Sequence, residues 1–306
     1  MGRQMGICGD DIMRNESEMM ELLKCVAAND ERIRAAWIEG SRCNPNVPKD
    51  IFQDYDVEFI VYDTKPFRED KTWIDQFGER LYMQYPEENV YYQDENDPEK
   101  CYGWLMQFSD GVRLDLHVCT LEDKLPILQH DRMYRILLDK DNCLPQLADN
   151  ELSDCEFWIK KPSENEFSCT CNEFWWCMNN VAKGMWRNEV PYVMDMLNNI
   201  IRPQLLRLIE WKIGIWTDFS VSAGKSGKYM YRWLSAEMYQ RYLKTYSDAQ
   251  KNRIWKSVYV MCDLIDEIAT EISQKLGFVY NMEEAKNSRA HLEHVQKLPR
   301  SAKEVY

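Results

Sequence analysis

Asp54 and Asp56 stand one residue apart at the head of an apolar run that continues to Val61. In an extended strand alternate side chains share a face, so Asp54, Asp56 and Glu58 fall on one side and Tyr55, Val57 and Phe59 on the other. Carboxylates at that spacing lie about 7 Å apart along the backbone, near enough to reach one hard divalent cation or a pair of them. Without a cation they repel, and one resists ionisation. A third acid, Asp115, sits between Leu114 and Leu116 in DGVRLDLHV. If that strand lies beside the first, three carboxylates meet over one cleft. Such a set suits metal-assisted nucleotidyl transfer, where metal bridges the attacking oxygen, the phosphate and the leaving pyrophosphate. An Asp-x-Asp pair alone also fits a strand end that faces solvent; Asp115 inside its own apolar strand is what favours a site.

Gly40-Ser41 ends an apolar segment upstream of the acidic pair. A tight turn there frees backbone N–H groups and offers the Ser41 hydroxyl, a cradle for phosphate, while Gly40 allows close approach. Farther on, AGKSGKY at 223–229 looks like a phosphate-binding loop, but Phe219 stands where the first glycine of that motif is required. Read as a loop entering a cleft, it offers Lys225 and Lys228 to phosphates and Tyr229 to a nucleotide; a solvated basic turn before a helix is the plainer alternative.

Bulk properties narrow the partners. The chain has 306 residues, 45% hydrophobic and 12% aromatic, enough for a sizeable core and for two domains. A net charge of −13 argues against a nucleic-acid partner and suits a cationic small molecule, although acidity also serves solubility. No run is apolar enough for a membrane span or a signal peptide, and Ile7 stands where an N-myristoylation signal at Gly2 wants Ser or Thr. Eleven scattered cysteines with no secretion signal point to reduced thiols in a cytoplasmic protein. Cys169, Cys171 and Cys177 cluster without a CxxC pair, a poor zinc site, and His291 and His294 read as surface residues.

The elements that would position these groups divide at about residue 145. From 1 to 145 the pattern predicts an α+β domain with a mixed sheet. It comprises a helix over 17–29, strands over 33–38 and 57–62, a helix over 73–83, and a hairpin of 102–108 with 112–118 turned by Ser109-Asp110-Gly111. The segment 139–171 reads as polar loops broken by Pro145 and Pro162. The part 146–306 reads as a helical bundle, with helices over 172–188, 190–212 (started or broken near Pro203) and 254–276, the last stopped by Gly277.

Gly40-Ser41, Asp54-x-Asp56 and a later strand aspartate together resemble the signature of the nucleotidyltransferase superfamily related to DNA polymerase β. More narrowly, EGSRCNPNVPKDIFQDYDVEFIV, FGERLYMQYPEE, DGVRLDLHV, CNEFWW, VAKGMWRNEVPYVMDM and VSAGKSGKYMYRWL resemble the aminoglycoside 6-adenylyltransferase family, over most of the chain. The resemblance implies AMP transfer from MgATP to a hydroxyl of streptomycin or a related cationic aminoglycoside, conferring antibiotic resistance. On that basis residues 1–145 form the catalytic domain and 146–306 a helical domain binding substrate and nucleotide. Asp54 and Asp56 hold Mg2+, and Gly40, Ser41 and Arg42 take the outer phosphates of ATP. Asp115 acts as general base, metal ligand or both, and Lys225, Lys228 and Tyr229 complete the nucleotide contacts. Asn172, Glu173 and Trp176 face the substrate, with Glu173 and Trp176 meeting a guanidinium through an ion pair and a cation–π contact. Phe174 and Trp175 are expected in the core. A monomer is expected, with neither nucleic acid nor membrane as partner. Two other readings fit the same residues: transfer to another small-molecule or protein acceptor, or a nucleotide-binding regulator without turnover.

Overall fold

The computed structural model describes residues 13–91 and 97–306. Gly2 and Ile7, weighed above for lipidation, lie outside the described residues. The chain divides into two compact units after Glu156, later than the expected division at 145.

The first unit opens with helix α1 (Glu16–Asn29), capped by Asn15, whose side chain accepts from the Glu18 N–H while Glu18 reaches back to the Asn15 N–H. Such a capping box stabilises a helix start by about 1 kcal/mol. Strand β1 (Ile33–Glu39) ends in a 3-10 turn at Gly40–Arg42, and β2 (Tyr55–Val61) follows. After the short helix α2 (Lys65–Glu69) come β3 (Arg80–Gln84), β4 (Cys101–Phe108), β5 (Arg113–Thr120), α3 (Leu121–Leu128) and β6 (Arg135–Asp139). The six strands order as β3-β4-β5-β2-β1-β6. β2 and β5 run parallel, and every other neighbouring pair runs antiparallel, so the sheet is mixed as expected.

Two local expectations fail. The helix expected over 73–83 is a 3-10 turn, Trp73–Phe77, followed by β3. Gly78 at φ 125 breaks the turn, and the following residues pair with β4. Helix α3 and strand β6 arise in stretches left without assignment. Cys101 and Cys119, opposed across β4 and β5 with Cα atoms 4.1 Å apart, are joined as a disulfide where reduced thiols were expected.

One face of the sheet packs Tyr55, Val57, Phe59 and Val61 with Leu23, Ala27, Phe67, Trp104 and Leu116 into the larger core. On the opposite face Ala35, Trp37, Ile60, Cys119, Leu128 and Tyr134 form a smaller core, and the polar residues of β1, β2 and β5 share that side. The hairpin turn between β4 and β5 is fastened by Arg14, whose Nε donates to Asp110 Oδ2 at 2.6 Å and whose Nη1 donates to the Phe77 carbonyl.

The second unit is helical. Helix α4 (Glu164–Arg187) starts from a capping box, Ser163 with Glu166, eight residues before the expected start at 172. Helix α5 (Val190–Asp195) passes through a π-helical stretch, Met196–Ile201, into α6 (Arg202–Trp216). Pro203, which lacks an N–H, lies in the first turn of α6 beside that irregularity. Helices α7 (Ala236–Leu243), α8 (Lys251–Leu276) and α9 (Met282–Lys297) complete the unit. As expected, Gly277 caps α8 in the left-handed conformation, and Ile254, Val258, Met261, Ile265, Ile268 and Ile272 face its core. Among the described residues no helix is long and apolar enough to cross a membrane.

Candidate active site

Strand register places the acids. Asp56 and Asp115 are direct partners across the parallel pair β2 and β5, and Asp54 immediately precedes β2. Each of the three offers a carboxylate oxygen within 4.8 Å of those of the other two, a grouping that can hold a metal ion. The meeting that the sequence left conditional is therefore present. An all-oxygen, all-anionic donor set suits a hard divalent cation such as Mg2+. The electrostatics agree. Burial, then the charges of Asp54, Asp115 and Glu39, push the Asp56 carboxyl up to about 7, while Arg113 opposes them. Three acids confined in this way favour a cation.

Glu58 shares the face of Asp56 but lies one row deeper and belongs to a different arrangement. It is buried, accepts from Lys124 Nζ at 3.0 Å and sits 3.6 Å from His117 Nδ1. Burial holds the His117 pKa below its usual value, which leaves the ring neutral near pH 7 and makes Lys124 the charge partner of Glu58. Gly103 makes room for that ring: a Cβ at this position would lie 2.2 Å from His117 Cδ2. Opposite Asp56 across β1 and β2, Glu39 accepts from Trp37 Nε1 at 2.8 Å, and burial first, then Glu58, raises its pKa. Glu39, Lys124, His117 and Gly103 went unnoticed in the sequence, because nothing local announces which strands become neighbours.

Gly40 has φ 72, and a Cβ there would stand 2.3 Å from Asp56 Oδ2. The close approach expected of this glycine is thus made to a carboxylate. Ser41 follows in the same turn, half-buried, its carbonyl accepting from Gln53 Nε2 at 3.2 Å. Arg42 is engaged elsewhere. Its Nε donates to the Asp54 carbonyl at 2.9 Å, its Nη2 to the Gln53 carbonyl at 2.7 Å, and its guanidinium lies 3.6 Å from the Tyr55 ring centroid. That geometry fastens the turn to the entry of β2 and competes with the phosphate-binding role expected of Arg42.

The remaining expected site residues lie in the second unit. Lys225 and Lys228 are exposed in the loop between α6 and α7, where Gly224, Ser226 and Gly227 all have positive φ. The Tyr229 N–H donates to the Ala223 carbonyl at 2.8 Å, and both Lys228 and Arg232 lie over the Tyr229 ring. Lys225 lines an open cavity of about 580 Å³ with Lys160, Lys161, Arg207, Glu166 and Glu210, a charged recess of mixed sign. On α4, Phe174 and Trp175 are buried in the core as expected, whereas Trp176 is 66% exposed and Glu173 is exposed one turn before it. The Asn172 amide donates to Glu284 on α9. The cysteines at 169, 171 and 177 form no metal-ligand group among the described residues.

The chain is 37% identical to an aminoglycoside 6-adenylyltransferase of Bacillus subtilis (strain 168), over 88% of this chain and 93% of that protein. It is 36% identical to one of Campylobacter jejuni, over 90% of this chain and 94% of that protein. A crystal structure of an aminoglycoside 6-adenyltransferase from Bacillus subtilis aligns with 94% of this chain and all of that one, at 31% identity and a TM-score of 0.46. The sequence profile of the family described as streptomycin adenylyltransferase matches residues 13–295, and the chain belongs to that family.

Proposed function

We propose that this protein transfers AMP from MgATP to a hydroxyl of streptomycin or a closely related aminoglycoside and so inactivates the antibiotic. Family membership carries a nucleotide co-substrate with it. The observation that supports the chemistry best is the convergence of Asp54, Asp56 and Asp115 from two paired strands and the residue before one of them. In this reading Asp54 and Asp56 hold Mg2+ on the triphosphate. Asp115 completes the metal site or accepts the proton of the attacking hydroxyl; a carboxylate suffices as base where a cation acidifies that hydroxyl. The backbone N–H groups of the turn at Gly40 and Ser41 receive the outer phosphates.

Lys225, Lys228 and Tyr229 are the further residues that would contact a nucleotide. Glu173 and Trp176, both unburied on one face of α4, offer a carboxylate and a ring face to a guanidinium-bearing sugar. The strongly negative chain attracts such a polycation at long range. Incubation with MgATP and streptomycin, followed by mass spectrometry, is expected to show one added AMP. Unmodified streptomycin alongside AMP on a different acceptor would overturn the substrate assignment and leave the transfer chemistry standing.

A further inference from the structure

Arg113, the first residue of β5, lies two residues before Asp115 and on the same face of the strand. Its guanidinium grips the Asp115 carboxylate at both oxygens, Nε to Oδ1 at 2.9 Å and Nη2 to Oδ2 at 2.5 Å. The same Nε stands 3.9 Å from Asp54 Oδ2. The Asp115 side chain is only 13% exposed, so this two-point contact is partly shielded from water, where charge-assisted bonds are strongest. A cation bound by Asp54, Asp56 and Asp115 needs an oxygen from each. Both oxygens of Asp115 already face a positive charge.

We propose that Arg113 is a positioning residue that holds Asp115 and Asp54 in place before the divalent cation arrives and is displaced from Asp115 as the cation binds. The inference rests on the reading of the three acids as a metal site. Three unscreened carboxylates would spread apart, and a guanidinium two residues from Asp115 prevents this without filling the site permanently. Its side chain is 49% exposed and is free to swing towards solvent on exchange, whereas Arg42, also next to the acids, is fixed on two backbone carbonyls and a tyrosine ring. Guanidinium and cation therefore compete for Asp115.

The competition has a readout independent of turnover. Mn2+ binding is measured by electron paramagnetic resonance on wild type, Arg113→Gln and Arg113→Lys, without nucleotide, together with the melting temperature of each metal-free protein. Arg113→Gln is expected to bind Mn2+ about fivefold more tightly, the scale of one partly exposed ion pair, while melting at a lower temperature when metal-free. Arg113→Lys, which keeps the charge but not the paired grip, is expected to fall between the two. A lower melting temperature with unchanged or weaker Mn2+ binding would overturn the proposal and leave Arg113 a structural residue. Absence of Mn2+ binding by wild type would instead overturn the metal-site reading on which the proposal rests.

Discussion

The first unit carries its candidate chemistry on neighbouring strands of a sheet, whereas the second carries its candidate contacts on the outer face of a helix and on a loop. In the sheet, backbone hydrogen bonds determine that Asp56 opposes Asp115, and a one-residue slip of either strand would turn its acid into the opposite core. On α4, Glu173 and Trp176 project from a helix whose buried face is filled by Phe174, Trp175 and Met178, so the exposed pair can change without disturbing the fold. The sheet thus suits atoms that must be placed within tenths of an ångström, and the helix face suits recognition that can vary with the acceptor. Replacing residues in each unit tests that division.

The largest effect belongs to the sheet. Asp115→Asn keeps the shape and removes the charge, and AMP transfer is expected to fall about 10³-fold or more while ATP binding changes little. Transfer rate and nucleotide affinity, measured side by side, check it. Normal transfer would remove Asp115 from both of its proposed roles, and equal loss of ATP binding would make it a binding residue only.

That site was legible to an unusual degree, for a physical reason. Acids at i and i+2 in an otherwise apolar strand are costly to bury, so Asp54 and Asp56 advertise themselves, and Asp115 between two leucines repeats the signal. Their meeting was not legible, because the parallel pairing of β2 with β5 joins segments separated by a helix and two strands. For the same reason Lys124 could not be matched to Glu58. Local periodicity identified α8, whose apolar residues recur every three or four positions, yet misread residues 73–83, where the positive φ of Gly78 outweighs the pattern on either side.

A smaller loss is expected at Gly40. An alanine Cβ would lie 2.3 Å from Asp56 Oδ2 in a backbone conformation that disfavours side chains, so the turn or the carboxylate has to shift. Gly40→Ala is expected to lower kcat/KM about 10²-fold, the usual consequence of misplacing a reacting group by about 1 Å. Near-normal kcat/KM would show that the sheet site tolerates displacement as the helix face does. On the helix, Trp176→Ala is expected to raise the KM for streptomycin about tenfold through loss of a cation–π partner, with unchanged KM for ATP and unchanged melting temperature. A fall in melting temperature would show that this ring supports the fold, and the division between the units would blur.

The smallest effect concerns stability and follows from the crowding of the acids. Asp56 in the folded protein keeps its proton up to about pH 7, against 3.8 for the ordinary side chain. Between those values the folded state binds more protons than the unfolded state. Its contribution to stability is therefore present at low pH and is lost as pH rises through about 7. Asp56→Asn cannot ionise, so it escapes the loss. Metal-free Asp56→Asn is expected to melt about 3–6 °C above wild type at about pH 8, with the difference disappearing at about pH 4. Adding Mg2+ at the higher pH is expected to stabilise wild type and not the variant, because the cation relieves the same repulsion. If the two proteins melt together at both pH values, the acids are farther apart in solution than the paired strands imply, and the first unit loses the precision that distinguishes it from the second.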